Sequence, residues 1–227
     1  MFFIMKDEGS RLLLEKYNTY QQTMSASCGI CSIMSVLKYY GKPIDESWEV
    51  TLCEDYYEVA HKEVYPSGTL DVPNSDVLNK YGVKAKALSS KQGEESNFPT
   101  FESYRDFMIS NLEKDRPVMT HILNKGGHWV TVIGYDDMGT ENIYDDVIII
   151  SDSSDYWDHY QDGYNTYSAF NFYGIHFDKS IANCQSIVYI EKDPVSIGVI
   201  IAIVGGGILL AGGVAVAVII SKKKKAK

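Results

Sequence analysis

The apolar pattern of this chain changes period once, and Arg116-Pro117 marks the change. Before it, apolar residues recur at helical spacing. Ile30, Met34, Val36, Leu37 and Tyr40 share one side of 28–40, and Phe101, Tyr104, Phe107, Met108 and Leu112 do the same in 100–114. Shorter stretches at 47–59 and 74–81 read the same way, with Gly41 and Pro43 closing the first helix and 79–82 reading as a helix C-cap. A Pro cannot continue a helix and restrains the residue before it. Beyond it the pattern alternates, at 118–123, 129–135, 147–151 and 186–190. Helices first and strands second predicts an α+β domain, a helical N-terminal half followed by an antiparallel sheet, rather than alternating βαβ units. Residues 10–20 are expected to be a lead-in with an edge strand and 83–88 a short strand. Residues 89–98 and 136–142 read as turns, and 152–168 as a looser Tyr- and Asp-rich stretch.

The end of the chain follows different rules. Residues 196–220 carry no charge, and 25 residues are enough to cross a hydrocarbon core of about 30 Å as a helix. Lys222 to Lys225 and Lys227 follow at once, so the expected organisation is a domain over 1–194, a transmembrane helix over 196–220 and a basic tail over 221–227. Gly207 to Ala211 and Gly213 to Ala217 have the small-xxx-small spacing that packs one span against another, a route to a helix-mediated dimer. The lysines argue for a domain facing outward. The start, Met1 to Met5 followed by Lys6, Asp7 and Glu8, has no signal-peptide character and argues for a cytosolic domain. The expected location is therefore a single-pass membrane protein, with the face left open.

Five of the 21 Lys and Arg residues lie in the tail, leaving 16 against 30 acidic residues before it, a net of −14. A domain so acidic has no basic face for phosphates, which excludes nucleic acid as a partner and favours neutral or cationic peptides. Four cysteines, Cys28, Cys31, Cys53 and Cys184, are too few for a disulfide framework.

Chemistry concentrates at four positions. Cys28 begins the first helical stretch, where free N–H groups and the macrodipole favour a thiolate, and Gly29 after it allows a close approach. An inert buried thiol is the duller reading of a lone Cys. Cys28 and Cys31 also spell Cys-x-x-Cys, but no strand precedes the motif as a thioredoxin-like site would require. No second ligand pair completes a zinc site, and Cys31 reads as a core thiol. Gln22, six residues upstream, supplies an amide for an oxyanion; Gln21 beside it is the control for how little a Gln means alone. His128 follows Gly126-Gly127 at the start of an alternating strand, a setting that His61, His121, His159 and His176 lack. Asp152 ends the apolar run 147–151 and would orient the imidazole, with Asp155 and Asp158 as rivals.

At Gln22 with Cys28-Gly29, at Gly127-His128-Trp129 through Asp136, and at Asp152, the chain resembles the bacteriocin-processing (double-glycine) cysteine peptidase family of the papain-like superfamily. The resemblance covers roughly residues 18–190. It implies a papain-like fold with Cys28 as nucleophile, His128 as base, Asp152 as orienter and Gln22 at the oxyanion hole. Departures stand beside it. Ser27 replaces the Asp that often precedes the catalytic Cys, Ser153 replaces a Pro common after the final Asp, and the six-helix domain and ATPase of exporter-fused members are not in this sequence.

The expected function is hydrolysis of peptide bonds by a membrane-anchored thiol peptidase without a metal or organic cofactor. The alternatives are an acyltransferase or amidase using the same site, and an inactive surface module binding through the aromatic segment 156–173.

Overall fold

The computed structural model describes residues 11–60, 68–89, 96–123, 126–155, 160–176 and 186–192. These all fall in one compact unit, Met1–Asp193. The expected span at 196–220, its dimer spacing and the basic tail lie outside the described residues, as do His61, Asp158, His159 and Cys184. No helix among the described residues is long and apolar enough to cross a membrane.

The fold is built around strand β4 (His128–Asp136), with every residue of HWVTVIGYD buried. Successive strand residues point to opposite faces, so complete burial means that both faces are covered. Strand β5 (Val147–Ser151) runs antiparallel along one edge of β4. Two strands share the other edge end to end: β3 (Val118–Ile122) pairs with the first half of β4 and β1 (Arg11–Leu13) with its last three residues. Outward from these lie β7 (Ile187–Lys192), β2 (Lys84–Leu88) and, beyond β5, β6 (Tyr164–Ser168). The order is β2-β7-β3-β4-β5-β6, antiparallel throughout, with β1 beside β4. This is the α+β architecture with an antiparallel sheet that the change of period predicts.

Helix α1 (Cys28–Tyr39) packs on β4, α2 (Trp48–Val59) and α3 (Asp71–Lys80) pack on α1, and α3 also covers β2 and β7. The first ten residues of α1, Cys28 to Leu37, are buried, the mark of a helix enclosed on all sides rather than one lying on a surface. Ile30, Ile33, Val36 and Leu37 are each within 1% of full burial, and a side chain so enclosed contributes about 1.5–3 kcal/mol. Helix α4 (Phe101–Leu112) starts on a capping box in which Thr100 Oγ1 accepts from Ser103 N and Ser103 Oγ accepts from Thr100 N. It packs with α5 (Ala169–His176) against the sheet.

Two stretches differ from expectation. Helix α3 begins at Asp71 rather than 74, which places Pro73 in the first turn, where its missing N–H has no intrahelical acceptor to lose. The segment 152–168 holds strand β6, and α5 follows it directly. Its aromatics are packed in part: Phe172 is fully buried and Phe170 and Tyr173 close on Phe101 at ring distances of 5.4 and 5.9 Å, while Tyr160 and Phe170 remain exposed.

Candidate active site

Cys28 is the first residue of α1 and is 6% exposed. The chain reaches it through a tight loop in which Ala26 has φ +72°, the left-handed region that disfavours a residue with a Cβ. Just before β4, Gly126 and Gly127 have φ of +83° and +106°, and a Cβ on Gly127 would lie 2.8 Å from His121 Nε2. This turn therefore needs glycine, and it delivers His128 as the first residue of β4.

The strand brings the thiol and the imidazole together. Trp129 N–H donates to Cys28 Sγ at 3.4 Å, so the residue next to His128 touches the sulfur. His128 Nε2 lies 2.6 Å from Asp152 Oδ1, with His128 8% exposed and Asp152 fully buried. With Nε2 engaged by the carboxylate, Nδ1 is the ring nitrogen left for the thiol. Asp152 Oδ1 also accepts from Ser154 N at 2.8 Å.

Sheet register, not hairpin length, makes this contact. Thr131 and Val132 pair with Ser151 and Ile150, whereas Gly134 pairs with Ile149, so the ladder shifts by one residue at Ile133. Extending the inner register sets Asp152 opposite Val130, on the face of β4 that also carries His128. Without the shift Asp152 would lie opposite Thr131 and point to the other face.

Burial works against charge on His128, but the hydrogen bond to Asp152 and the Cys28 side chain outweigh it and lift the imidazole from 6.5 to about 9. For Asp152, burial raises the carboxyl, yet the bond to His128 and the Ser154 and Asp155 N–H groups bring it below the ordinary carboxylate range. His121 moves the other way: burial and the neighbouring His128 lower it, and its ring packs on Trp129 at 5.4 Å. Cys31, buried beside Glu49, is pushed well above an ordinary thiol. The rival Asp155 accepts from Gly163 N and Asn165 Nδ2 and so shapes the loop rather than the imidazole.

Gln22 is tied to the Asp152 loop. Its N–H donates to Ser153 O at 3.0 Å, and its Oε1 accepts from the Ser153 and Ser154 hydroxyls at 3.0 and 3.1 Å. One N–H of the amide donates to Met24 O at 3.2 Å, leaving the second available.

Three contributors escaped the sequence reading. Glu49 accepts from the loop before Cys28, including Ser27 Oγ at 2.6 Å, so a carboxylate sits one hydrogen bond from the position where family members often carry Asp. Ser153, standing where a Pro is common, supplies one of the two hydroxyls on Gln22 Oε1. Thr69 lies over Gly29: a Cβ there would be 1.9 Å from Thr69 Oγ1, so the close approach Gly29 permits is that of a side chain in the protein itself. Thr69 O accepts from Trp129 Nε1 at 2.9 Å, and only this three-dimensional neighbourhood identifies the residue. Met24 to Ser27 on one side and Cys53, Tyr56, Tyr57, Gly68 and Thr69 on the other line a cleft of about 140 Å³. Among the described residues no group of three or more His, Cys, Asp or Glu is arranged to hold a metal ion.

A thiol at a helix start, beside an imidazole paired with a buried carboxylate on an antiparallel sheet, is the equipment of a cysteine peptidase. Residues 14–176 match the Peptidase_C39 like family, and the chain belongs to that family. No curated protein matches it. Among solved structures it is similar to the peptidase domain of Streptococcus ComA, a bi-functional ABC transporter involved in a quorum sensing pathway. The two are 18% identical over 78% of this chain and 99% of that one, with a TM-score of 0.45. It is also similar to a double glycine motif protease from an AMS/PCAT transporter in complex with its leader peptide. That pair is 14% identical over 83% and 96% of the chains, with a TM-score of 0.44.

Proposed function

We propose that this cysteine peptidase is papain-like and cleaves peptide bonds with Cys28 as nucleophile, His128 as acid and base, Asp152 as orienter and Gln22 as oxyanion donor. The observation that carries the reading is the 2.6 Å contact between His128 Nε2 and Asp152 Oδ1, one residue from the N–H that touches Cys28 Sγ. An imidazole raised to about 9 is cationic at neutral pH and stabilises a neighbouring thiolate as an ion pair. The thiolate adds to the peptide carbonyl. The developing oxyanion is met by the Cys28 N–H, which as the first helical N–H has no intrahelical acceptor, and by the second N–H of Gln22. His128 gives its proton to the leaving amine, breaking the C–N bond and leaving a thioester. It then takes a proton from water, whose oxygen displaces Cys28 and restores the site.

The substrate in this reading is a neutral or basic peptide, because the acidic surface disfavours polyanions. The uncharged segment 196–220 and its lysines support attachment to a membrane as a single span.

The test is hydrolysis of a peptide library by the wild type and Cys28→Ala, with iodoacetamide labelling mapped across the cysteines. Turnover lost in Cys28→Ala, with Cys28 labelled ahead of Cys31 and Cys53, is the expected result. Turnover that survives the substitution defeats the assignment.

A further inference from the structure

The loop from Gln22 to Cys28 carries two parts of the proposed machinery: the oxyanion amide at one end and the nucleophile at the other. Between them, Thr23, Met24 and Ser25 are exposed, and Ala26 sits in the left-handed region at φ +72°. The Gln22 end is tied to Ser153 and Ser154, and the stretch from Thr23 to Ser27 is held from α2.

Glu49, in the first turn of α2, is 4% exposed. Its carboxylate accepts from Thr23 N at 3.1 and 3.3 Å, Thr23 Oγ1 at 2.6 Å, Met24 N at 3.4 Å and Ser27 Oγ at 2.6 Å, with Cys31 Sγ at 3.8 Å. Burial raises its carboxyl, yet these donors bring it below the ordinary range, so the group is an anion at neutral pH. Each of these donors is a neutral group. Among the described residues no cation pairs with it; a buried anion so placed is costly, and an apolar side chain would seal α2 against α1 at less cost. The arrangement makes sense as a clamp on the loop.

We propose that Glu49 is a positioning residue for peptide cleavage, fixing the 22–28 loop so that Gln22 and the Met24–Ser27 wall of the cleft meet the carbonyl under attack. The proposal rests on the reading of Cys28 as nucleophile. Glu49 acts through the loop and leaves the imidazole on β4 untouched, so its loss separates two properties that an unfolding defect would lower together. Oxyanion stabilisation is realised only in the transition state, so the loss falls on kcat more than on KM.

The experiment compares Glu49→Gln, Glu49→Asp and Ser27→Ala with the wild type and Cys28→Ala. Peptide turnover is read as kcat and KM, and the rate of Cys28 alkylation by iodoacetamide is read across pH. Glu49→Gln is expected to lose about thirtyfold in kcat, with Cys28 alkylation within about threefold of wild type and its pH profile in place. Glu49→Asp, which keeps the charge on a shorter arm, falls between Glu49→Gln and wild type. Ser27→Ala removes one donor and keeps the charge, so it answers the question if Glu49→Gln does not fold; its expected loss in kcat is about fivefold at unchanged alkylation. Unchanged kcat in these variants, or kcat and alkylation falling in step with the unfolded fraction, overturns the role of Glu49. Turnover surviving in Cys28→Ala overturns instead the reading on which it rests.

Discussion

Replacing Asp152 by Asn tests the site through a single charge. The amide keeps the size of the side chain and can still accept from His128 Nε2 across the 2.6 Å contact, but the negative charge is gone. The rise of His128 from 6.5 to about 9 corresponds to about 3 kcal/mol of preference for the imidazolium, shared between Asp152 and Cys28. Without the carboxylate, burial is opposed only by the Cys28 side chain, and the ring's pKa falls from about 9. At pH 7.5 the imidazolium, nearly complete in the wild type, is then depleted. Counting the lost orientation as well, kcat/KM should drop about ten- to a hundredfold. The assay is kcat/KM against pH; its alkaline limb should lie near 9 in the wild type and move to lower pH in Asp152→Asn. Stability follows the same group. A folded-state pKa above the unfolded one stabilises fully below 6.5, and that contribution disappears as pH rises to about 9. The wild-type melting temperature should therefore slope downward across that window, and Asp152→Asn should lose the slope. An Asp152→Asn protein with kcat/KM within threefold of wild type and its alkaline limb still near 9 would refute the reasoning.

Two other substitutions probe the scaffold. Gly29→Ala drives a methyl to within 1.9 Å of Thr69 Oγ1 and should cost about 1–3 kcal/mol in urea unfolding. It should also shift Trp129 fluorescence, because Thr69 O holds that indole; an unchanged midpoint contradicts the packing described. Asp146→Asn removes the charge from a fully buried carboxylate that accepts from Arg105 Nε at 2.7 Å and Tyr135 OH at 2.6 Å. About 2 kcal/mol of stability should go with it, lowering the melting temperature by about 4–8 °C while turnover per folded molecule stays unchanged.

How much of this was readable in advance depends on where each signal lies. Cys28 and His128 stand out because local sequence sets both: a helix start with Gly29 for the thiol, two left-handed glycines for the imidazole. Asp152 was readable as the end of a strand, but its pairing with His128 depends on the one-residue shift at Ile133, and no composition marks that shift. Strand β6 was hidden because YNTYS lacks the aliphatic alternation of its neighbours, and α5 because eight aromatic-rich residues are too few to display a period. Glu49 is the plainest omission. In sequence it is one acid among many on a polar helix, and its importance arises from the loop that folds down onto it.

The ties between Gln22 and the Ser153-Ser154 segment bear on how a peptide reaches the site. Three hydrogen bonds join the approach to α1 with the exit from β5, so the Gln22 segment and the Asp152 loop are held to one another. The opposite side, at Gly68 and Thr69, meets the His128 strand where Trp129 Nε1 donates to Thr69 O. The indole of Trp129 thus couples the Thr69 side to the strand that starts at His128, and a displacement of Thr69 breaks a hydrogen bond one residue from the imidazole.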